Sequence, residues 1–371
     1  MKYLFLISLL LLNILIVNTS FQTTIFAKTN LENKGKNLLL SPLSIFQVLG
    51  LTTNGAAGTT QKEMITTLEA LSIENLNNIN FQLIKSIKKF TTTELANAVM
   101  SRVVPIKSFI KMCDKYEAPL EKLVSLEQVN GWCSKKTHGK IDKILDELSP
   151  DIVMILLNAV YFKGDWEFPF NPRLTRDSLF GDSNSIKKKV KMMSQTHKFN
   201  YYIDRSVQAI ELPYKNDSMS ALIILPYAGA DIDNFVNTLK LNDNYLNRII
   251  KGMTKTMVKL NLPKFKIEFK SSLNKVLKRL GMKQAFTVQA DFSGMAGGIH
   301  IGDVIHKTYL KVDENGSEAA AVTAVIMTNG TLPFMPKATT MNVNRPFIFI
   351  LKSKLLPKNN DLLFIGKIKD I

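Results

Sequence analysis

Cysteine is scarce in this chain: Cys113 and Cys133 are its two cysteines in 371 residues. That count excludes a scaffold stapled by several disulfides. One disulfide, or two buried free thiols, stays open. Histidine is nearly as rare, at four: His138, His197, His300 and His306. None falls in an HExxH zinc pair, and no Gly-x-Ser-x-Gly elbow marks a nucleophilic serine. A phosphate-cradling Walker loop and a dinucleotide glycine fingerprint are missing too. The chain therefore reads as no enzyme, with no metal and no cofactor, although a triad gathered from distant residues would leave no local mark. Long apolar runs are absent beyond the N-terminus, so no later segment reads as a membrane span. No Pro-, Gly- or Ser-rich linker, charge block or repeat period divides the sequence. One large domain with a substantial core is expected.

The N-terminus is where the one long apolar run stands. Lys2 supplies a positive start, Tyr3 to Val17 are apolar apart from an occasional polar residue, and Asn18, Thr19 and Ser20 follow. This is a signal-peptide pattern over residues 1–19, followed by a single domain over 20–371; a membrane anchor and a buried first helix are the competing readings. A secreted, extracellular protein is the expectation. Basic residues outnumber acidic ones, giving a net charge of +17. In a secreted protein that favours anionic partners such as sulfated, heparin-like glycans, phospholipid surfaces or acidic proteins, or else is a lysine-rich wet surface. Nucleic acid is not expected, since no groove-reading motif is present. Lys85, Lys88 and Lys89 stand at i, i+3 and i+4 and would share a helical face.

Helix and strand signals are mixed. Thr59 to Leu71 reads as a helix with Thr59 near its cap and Leu68 and Leu71 on one face. Ile79 to Phe90 is amphipathic through Phe81, Ile84 and Ile87, and Val129 onward is helical up to Gly139. Strand-like runs are Ile152 to Phe162, Met219 to Leu225, Met257 to Leu262 and Phe347 to Leu351. They do not alternate regularly with helices, so a barrel or a doubly wound sheet is unsupported and a mixed α/β domain with large antiparallel sheets fits better.

The segment from Lys311 to Asn344 carries the functional signal. Ser317-Glu318-Ala319-Ala320-Ala321 looks like a capped helix start. Val322, Thr323, Val325 and Ile326, all β-branched, then favour a strand. Asn329-Gly330, Pro333 and Pro336 mark an irregular loop. Read as a strand, one face holds Ser317, Ala319, Ala321, Thr323, Val325 and Met327, all uncharged and the first three small. A stretch that can sit as a loop and later enter a sheet is what a conformational trap needs. In the loop form, the Ser317 side chain is expected to stay in water.

Several blocks then make the sequence resemble the serpin family from about Thr19 onward. They are Asn37 through Ser41-Pro42-Leu43-Ser44-Ile45; Gly55-Ala56-Ala57-Gly58-Thr59-Thr60; Leu157-Asn158-Ala159-Val160-Tyr161-Phe162-Lys163-Gly164 with Trp166; and Val190 to Met193. Glu211-Leu212-Pro213-Tyr214, Leu262-Pro263-Lys264-Phe265, Asp313 to Ala321, Asn344-Arg345-Pro346-Phe347 and Phe364 to Ile368 continue in the family's order.

The resemblance implies a mixed α/β (α+β) fold of three β-sheets and about nine helices, with an exposed reactive-centre loop over about 314–343. It implies a monomeric protease inhibitor acting as a suicide substrate. A serine protease cleaves the loop and is acylated, the hinge inserts into the main sheet, and the trapped enzyme is distorted in a covalent complex. The hinge would be Glu314, Gly316, Ser317, Glu318, Ala319, Ala320 and Ala321. Ser41, Ser44, Asn158 and His306 match the shutter under the opening sheet; Trp166, Lys264 and Glu314 match the breach at its top. Fourteen positions past Gly316 lies Gly330, so the default scissile bond is Gly330–Thr331, suited to an elastase-like pocket. Leu332, Phe334 and Met335 are alternative baits for a chymotrypsin-like or cathepsin G-like enzyme, and Lys337 for trypsin. Asn216, Asn315 and Asn329 each begin a glycosylation triplet, Asn216 being the candidate that would not obstruct the loop. The Lys85/Lys88/Lys89 segment corresponds to the helix that binds heparin in some members. A non-inhibitory serpin and a basic glycan-binding secreted protein are the alternative functions.

Overall fold

The computed structural model describes residues 21–89, 93–182, 186–215, 218–241, 243–317, 338–357 and 361–371. Among these residues nine α-helices form: α1 (Phe21–Glu32), α2 (Pro42–Thr53), α3 (Gly58–Thr67), α4 (Ile73–Ile87), α5 (Lys107–Lys115), α6 (Leu126–Lys136), α7 (Ile232–Leu241), α8 (Asp243–Lys251) and α9 (Asn274–Leu280). The strands are β1 (Leu38–Leu40), β2 (Thr93–Ser101), β3 (Leu120–Lys122), β4 (Met154–Phe162), β5 (Gly164–Asp165), β6 (Arg176–Phe180), β7 (Lys188–Ile203) and β8 (Val207–Pro213). They continue with β9 (Met219–Pro226), β10 (Thr254–Pro263), β11 (Phe265–Ser272), β12 (Ile305–Val312), β13 (Gly316–Ser317), β14 (Thr339–Asn342), β15 (Phe347–Ser353) and β16 (Leu362–Ile368).

Burial follows the sequence pattern. The residues of β9 are continuously apolar apart from Ser220, and the whole strand is buried, because both its faces are covered. β11 instead alternates: Phe265, Ile267 and Phe269 are buried while Lys266, Glu268 and Lys270 meet water. α2 starts on Pro42, whose fixed φ suits the first helical position, and is buried almost throughout. α3 ends at Thr67, short of the expected Leu71. Leu68 is buried, but Leu71 lies past the helix end and is 91% exposed. α4 begins six residues earlier than the periodicity placed it, because Ser72 caps it by accepting a hydrogen bond from the Asn75 amide at 3.1 Å. α6 stops at Lys136, and Gly139, at φ +72°, turns the chain away in a conformation glycine adopts without cost.

Nine strands form one hydrogen-bonded sheet, in the order β1-β16-β15-β9-β8-β7-β10-β14, with β6 also on β7. The length of β7 explains its size. Its Lys188–Met192 end pairs with β6, its Asn200–Ile203 end pairs with β8, and β10 runs along its other edge. Two sheets are thereby fused into one path. The remaining strands lie in a second layer: β3-β2-β4, the β11-β12 pair, and the short β13-β5 pair. β4 and β12 run alongside each other, yet no hydrogen-bonded ladder joins them among the described residues. The three expected sheets thus appear as two fused and one divided along a seam.

The second layer separates two cores. Met154 and Leu156 of β4 pack against the main core, whereas Ile155 and Leu157 join a smaller one with Ala98, Met100, Val129, Cys133 and Tyr309 under α6. This alternation is the pleat at work. Cys113 and Cys133 are both buried free thiols, not a disulfide, and burial pushes each up to about 11. They are inert at neutral pH.

Candidate functional site

The chain leaves β12 through Asp313, Glu314 and Asn315 and enters β13. There Gly316 pairs antiparallel with Asp165 and Ser317 with Gly164. The approach is very close. A Cβ on residue 316 would stand 1.9 Å from the Gly164 carbonyl oxygen and 2.8 Å from the Asp165 Cα, so only glycine fits. Trp166 locks the turn: its amide donates to Asn315 O at 2.8 Å and its indole Nε1 donates to Asp313 O at 3.0 Å. The indole is buried and stacks on Tyr214 at 4.4 Å between centroids. Phe162 meets the same tyrosine edge-on at 4.9 Å.

Tyr214 also reaches β13. Its hydroxyl shares a buried 2.6 Å hydrogen bond with the Ser317 hydroxyl. Burial raises the phenol far above its ordinary range, so it stays neutral. This corrects the expectation for Ser317. Its side chain is fully buried rather than in water, because the close pairing of β13 with β5 carries it against the Tyr214 hydroxyl. The sequence quoted Tyr214 as part of a block but gave no sign of this contact, which spans 103 positions. The burial also hides the serine of the Asn315 glycosylation triplet.

Lys264 and Glu314 meet at 2.7 Å, and Thr175 donates to the other Glu314 oxygen at 2.8 Å. Burial alone would raise the Glu314 carboxyl, but the Lys264 and Thr175 hydrogen bonds outweigh it and hold it below the usual range. Trp166, Lys264 and Glu314 therefore gather at one end of the second layer. Thr175 joins them, a residue no motif singled out.

A second cluster lies on β12. The Ser41 amide donates to His306 Nε2 at 3.0 Å, which fixes the imidazole as a neutral acceptor. Burial pushes its pKa down to about 3. Ser44 donates to the Ser41 carbonyl at 3.0 Å, while the Ser41 hydroxyl is buried with no partner among the described residues. Asn158 lies on β4 with its backbone opposite Asn97 of β2; its side chain is outside what the structure describes. A cavity of about 590 Å³ lies at the start of the seam between β4 and β12, lined by Ile45 and Leu49 of α2 and reaching Leu157 and His306.

Glu318, Ala319, Ala320, Ala321, Gly330, Thr331, Leu332, Phe334, Met335 and Lys337 lie outside the described residues, as do Asn216, Asn329 and residues 1–20. Lys85, Lys88 and Lys89 are exposed, but they do not share an uninterrupted helical face: α4 ends at Ile87 and Lys88 pairs with Glu117.

Fold and site together define a mixed α/β protein in which β13 pairs with β5 beside the β4/β12 seam, and comparison with known proteins gives that class its name. The family described as Serpin (serine protease inhibitor) matches residues 17–371. The chain is 33% identical to Intracellular coagulation inhibitor 2 of Tachypleus tridentatus, covering 92% of this chain and 87% of that one. It is 32% identical to Leukocyte elastase inhibitor of Xenopus laevis, covering 94% and 97%. The thermophilic serpin tengpin in its native state superposes with a TM-score of 0.85 at 31% identity, covering 95% and 93%. The chain belongs to the serpin family, a family of protease inhibitors and not of enzymes.

Proposed function

We propose that this chain is a secreted inhibitory serpin that traps its protease by loop cleavage and insertion. The observation that carries the reading is the hinge. Gly316 and Ser317 sit docked at the head of the β4/β12 seam, and the residues that continue from them are small or β-branched and uncharged on one strand face. Such a segment can add its backbone hydrogen bonds between β4 and β12 and bury apolar side chains, so cleavage releases a downhill transition. In this reading Ser41, Ser44, Asn158 and His306 form the shutter, and Trp166, Lys264 and Glu314 form the breach that guards entry. Attack at Gly330–Thr331 would suit an elastase-like enzyme, in keeping with the relative named for leukocyte elastase. Attack at Leu332, Phe334 or Met335 would suit a chymotrypsin-like one. Residues 1–19 direct secretion, residues 20–371 form the mature domain, and Asn216 is its glycosylation site.

The test is incubation with elastase-, chymotrypsin- and trypsin-like proteases, followed by denaturing electrophoresis. A denaturant-stable complex, with the cut mapped inside residues 329–335, is the expected result. Clean cleavage with release of active protease would overturn the reading and leave a non-inhibitory serpin. Secretion is checked by expression in eukaryotic cells: the mature chain should leave the cells lacking about its first 19 residues and lose mass on glycosidase treatment.

A further inference from the structure

The outer face of β7, β10 and β14 carries a patch that neither the fold nor the trap mechanism requires. Burial alternates along these strands. Val258, Leu260 and Met341 point inward, while Thr196, Lys198, Lys255, Lys259 and Thr340 are exposed. The register brings the cations together. Lys198 lies opposite Met257, with Lys255 and Lys259 as its diagonal neighbours, a spacing of about 7–8 Å in such a ladder. Lys259 in turn lies opposite Thr340 of β14. None of the three lysines pairs with a carboxylate among the described residues, and no acidic residue shares this face of the paired segments of the three strands. Elsewhere on the same sheet, Lys189 and Lys191 share Asp177 and Lys188 pairs with Asp370.

Position gives the patch its meaning. β14 is where the chain returns after the bait segment, and Gly330 lies nine residues before Thr339. Fully extended, nine residues span at most about 32 Å. A protease of about 230 residues is roughly 45 Å across, from a radius of gyration near 17 Å. An enzyme holding any bait from Gly330 to Met335 is therefore tethered too closely to avoid β14 and its neighbours. Lys198, Lys255 and Lys259 stand on the strands beside β14, within reach of an enzyme tethered there.

We infer that these three lysines form an electrostatic docking site for a negatively charged surface of the target protease, outside its substrate cleft. The inference rests on the inhibitory reading proposed above. Like charges on the approaching enzyme are repelled and opposite charges are drawn in, so the patch selects among proteases that share a bait preference. It acts on the encounter and leaves loop cleavage and insertion alone.

The experiment measures second-order association rates and inhibition stoichiometry with anionic and cationic chymotrypsins, from low to high ionic strength. The parent is compared with the Lys198→Glu/Lys255→Glu/Lys259→Glu variant, its fold checked by melting temperature. With the anionic enzyme, the variant should associate about 10- to 100-fold more slowly at low salt, and the parent's salt dependence should flatten. Stoichiometry should not change, and the cationic enzyme should show no such loss. Equal rates for parent and variant with the anionic enzyme overturn the inference. So does a loss that appears only with heparin present, which would make the face a glycan site. If the parent forms no covalent complex with any protease, the inhibitory reading fails, and the patch is then read separately. Active-site-blocked anionic chymotrypsin should be held by immobilised parent at low salt and not by the variant; no difference in retention overturns the inference.

Discussion

Gly316→Ala probes the docking of β13 on β5 most directly. The added methyl would meet the Gly164 carbonyl oxygen at 1.9 Å and the Asp165 Cα at 2.8 Å. Both are backbone atoms of the partner strand, so no side chain can swing aside and β13 must lift away from β5. Lifting puts three buried hydrogen bonds at risk: Ser317 to Tyr214, the Trp166 amide to Asn315 and the Trp166 indole to Asp313. At about 1 kcal/mol each the loss is ~3 kcal/mol. With an unfolding entropy of ~2.1 cal/mol/K per residue, a domain of this size loses roughly 1.4 °C per kcal/mol, or ~4 °C. Calorimetry measures the shift. Indole fluorescence in a Trp132→Phe background measures the environment of Trp166 and should move to the red. Gly302→Ala is the control, since nothing lies within 4 Å of a Cβ there. A Gly316→Ala protein with the control's melting temperature and unshifted emission would refute the close pairing of β13 with β5.

His306 predicts an acid limb in the stability curve. Below pH 6.5 the unfolded chain takes up a proton that the folded one refuses until about pH 3. Its contribution to stability is therefore complete above 6.5 and is lost as pH falls toward 3, with a slope of ~1.4 kcal/mol per pH unit. His306→Gln keeps an acceptor for the Ser41 amide and should flatten that limb in urea titrations; an unchanged slope contradicts the buried neutral imidazole. Ser317→Arg should lower the melting temperature of the uncleaved protein as well as impair trapping, because the site beside the Tyr214 hydroxyl is already buried. A variant that melts with the parent would return Ser317 to solvent. The Lys85→Ala/Lys88→Ala/Lys89→Ala protein should leave a heparin column at lower salt than the parent. Lys88→Ala alone should move elution less than Lys85→Ala, since Glu117 already engages Lys88; identical elution for all would place any glycan affinity elsewhere.

What the sequence by itself determined is the class of protein and the order of its parts. The ordered blocks from Asn37 to Ile368 pointed to one family, and the apolar runs located the four expected strands to within a few residues. These signals are local: pleat, periodicity and motif are written along the chain. The residues that met across it were not legible that way. Nothing near Ser317 announces a tyrosine 103 positions away, and nothing in Gly316 names the carbonyl of Gly164 that forbids a side chain there. Helix ends were misplaced where capping decided them, at Ser72 and after Thr67. Two cysteines compatible with a disulfide proved to be thiols in separate cores. The lysines of β7 and β10 are about sixty positions apart in sequence and become one patch through strand register alone. In each case the deciding term is a contact between distant segments, and such contacts exist only once the sheets have paired and the cores have closed.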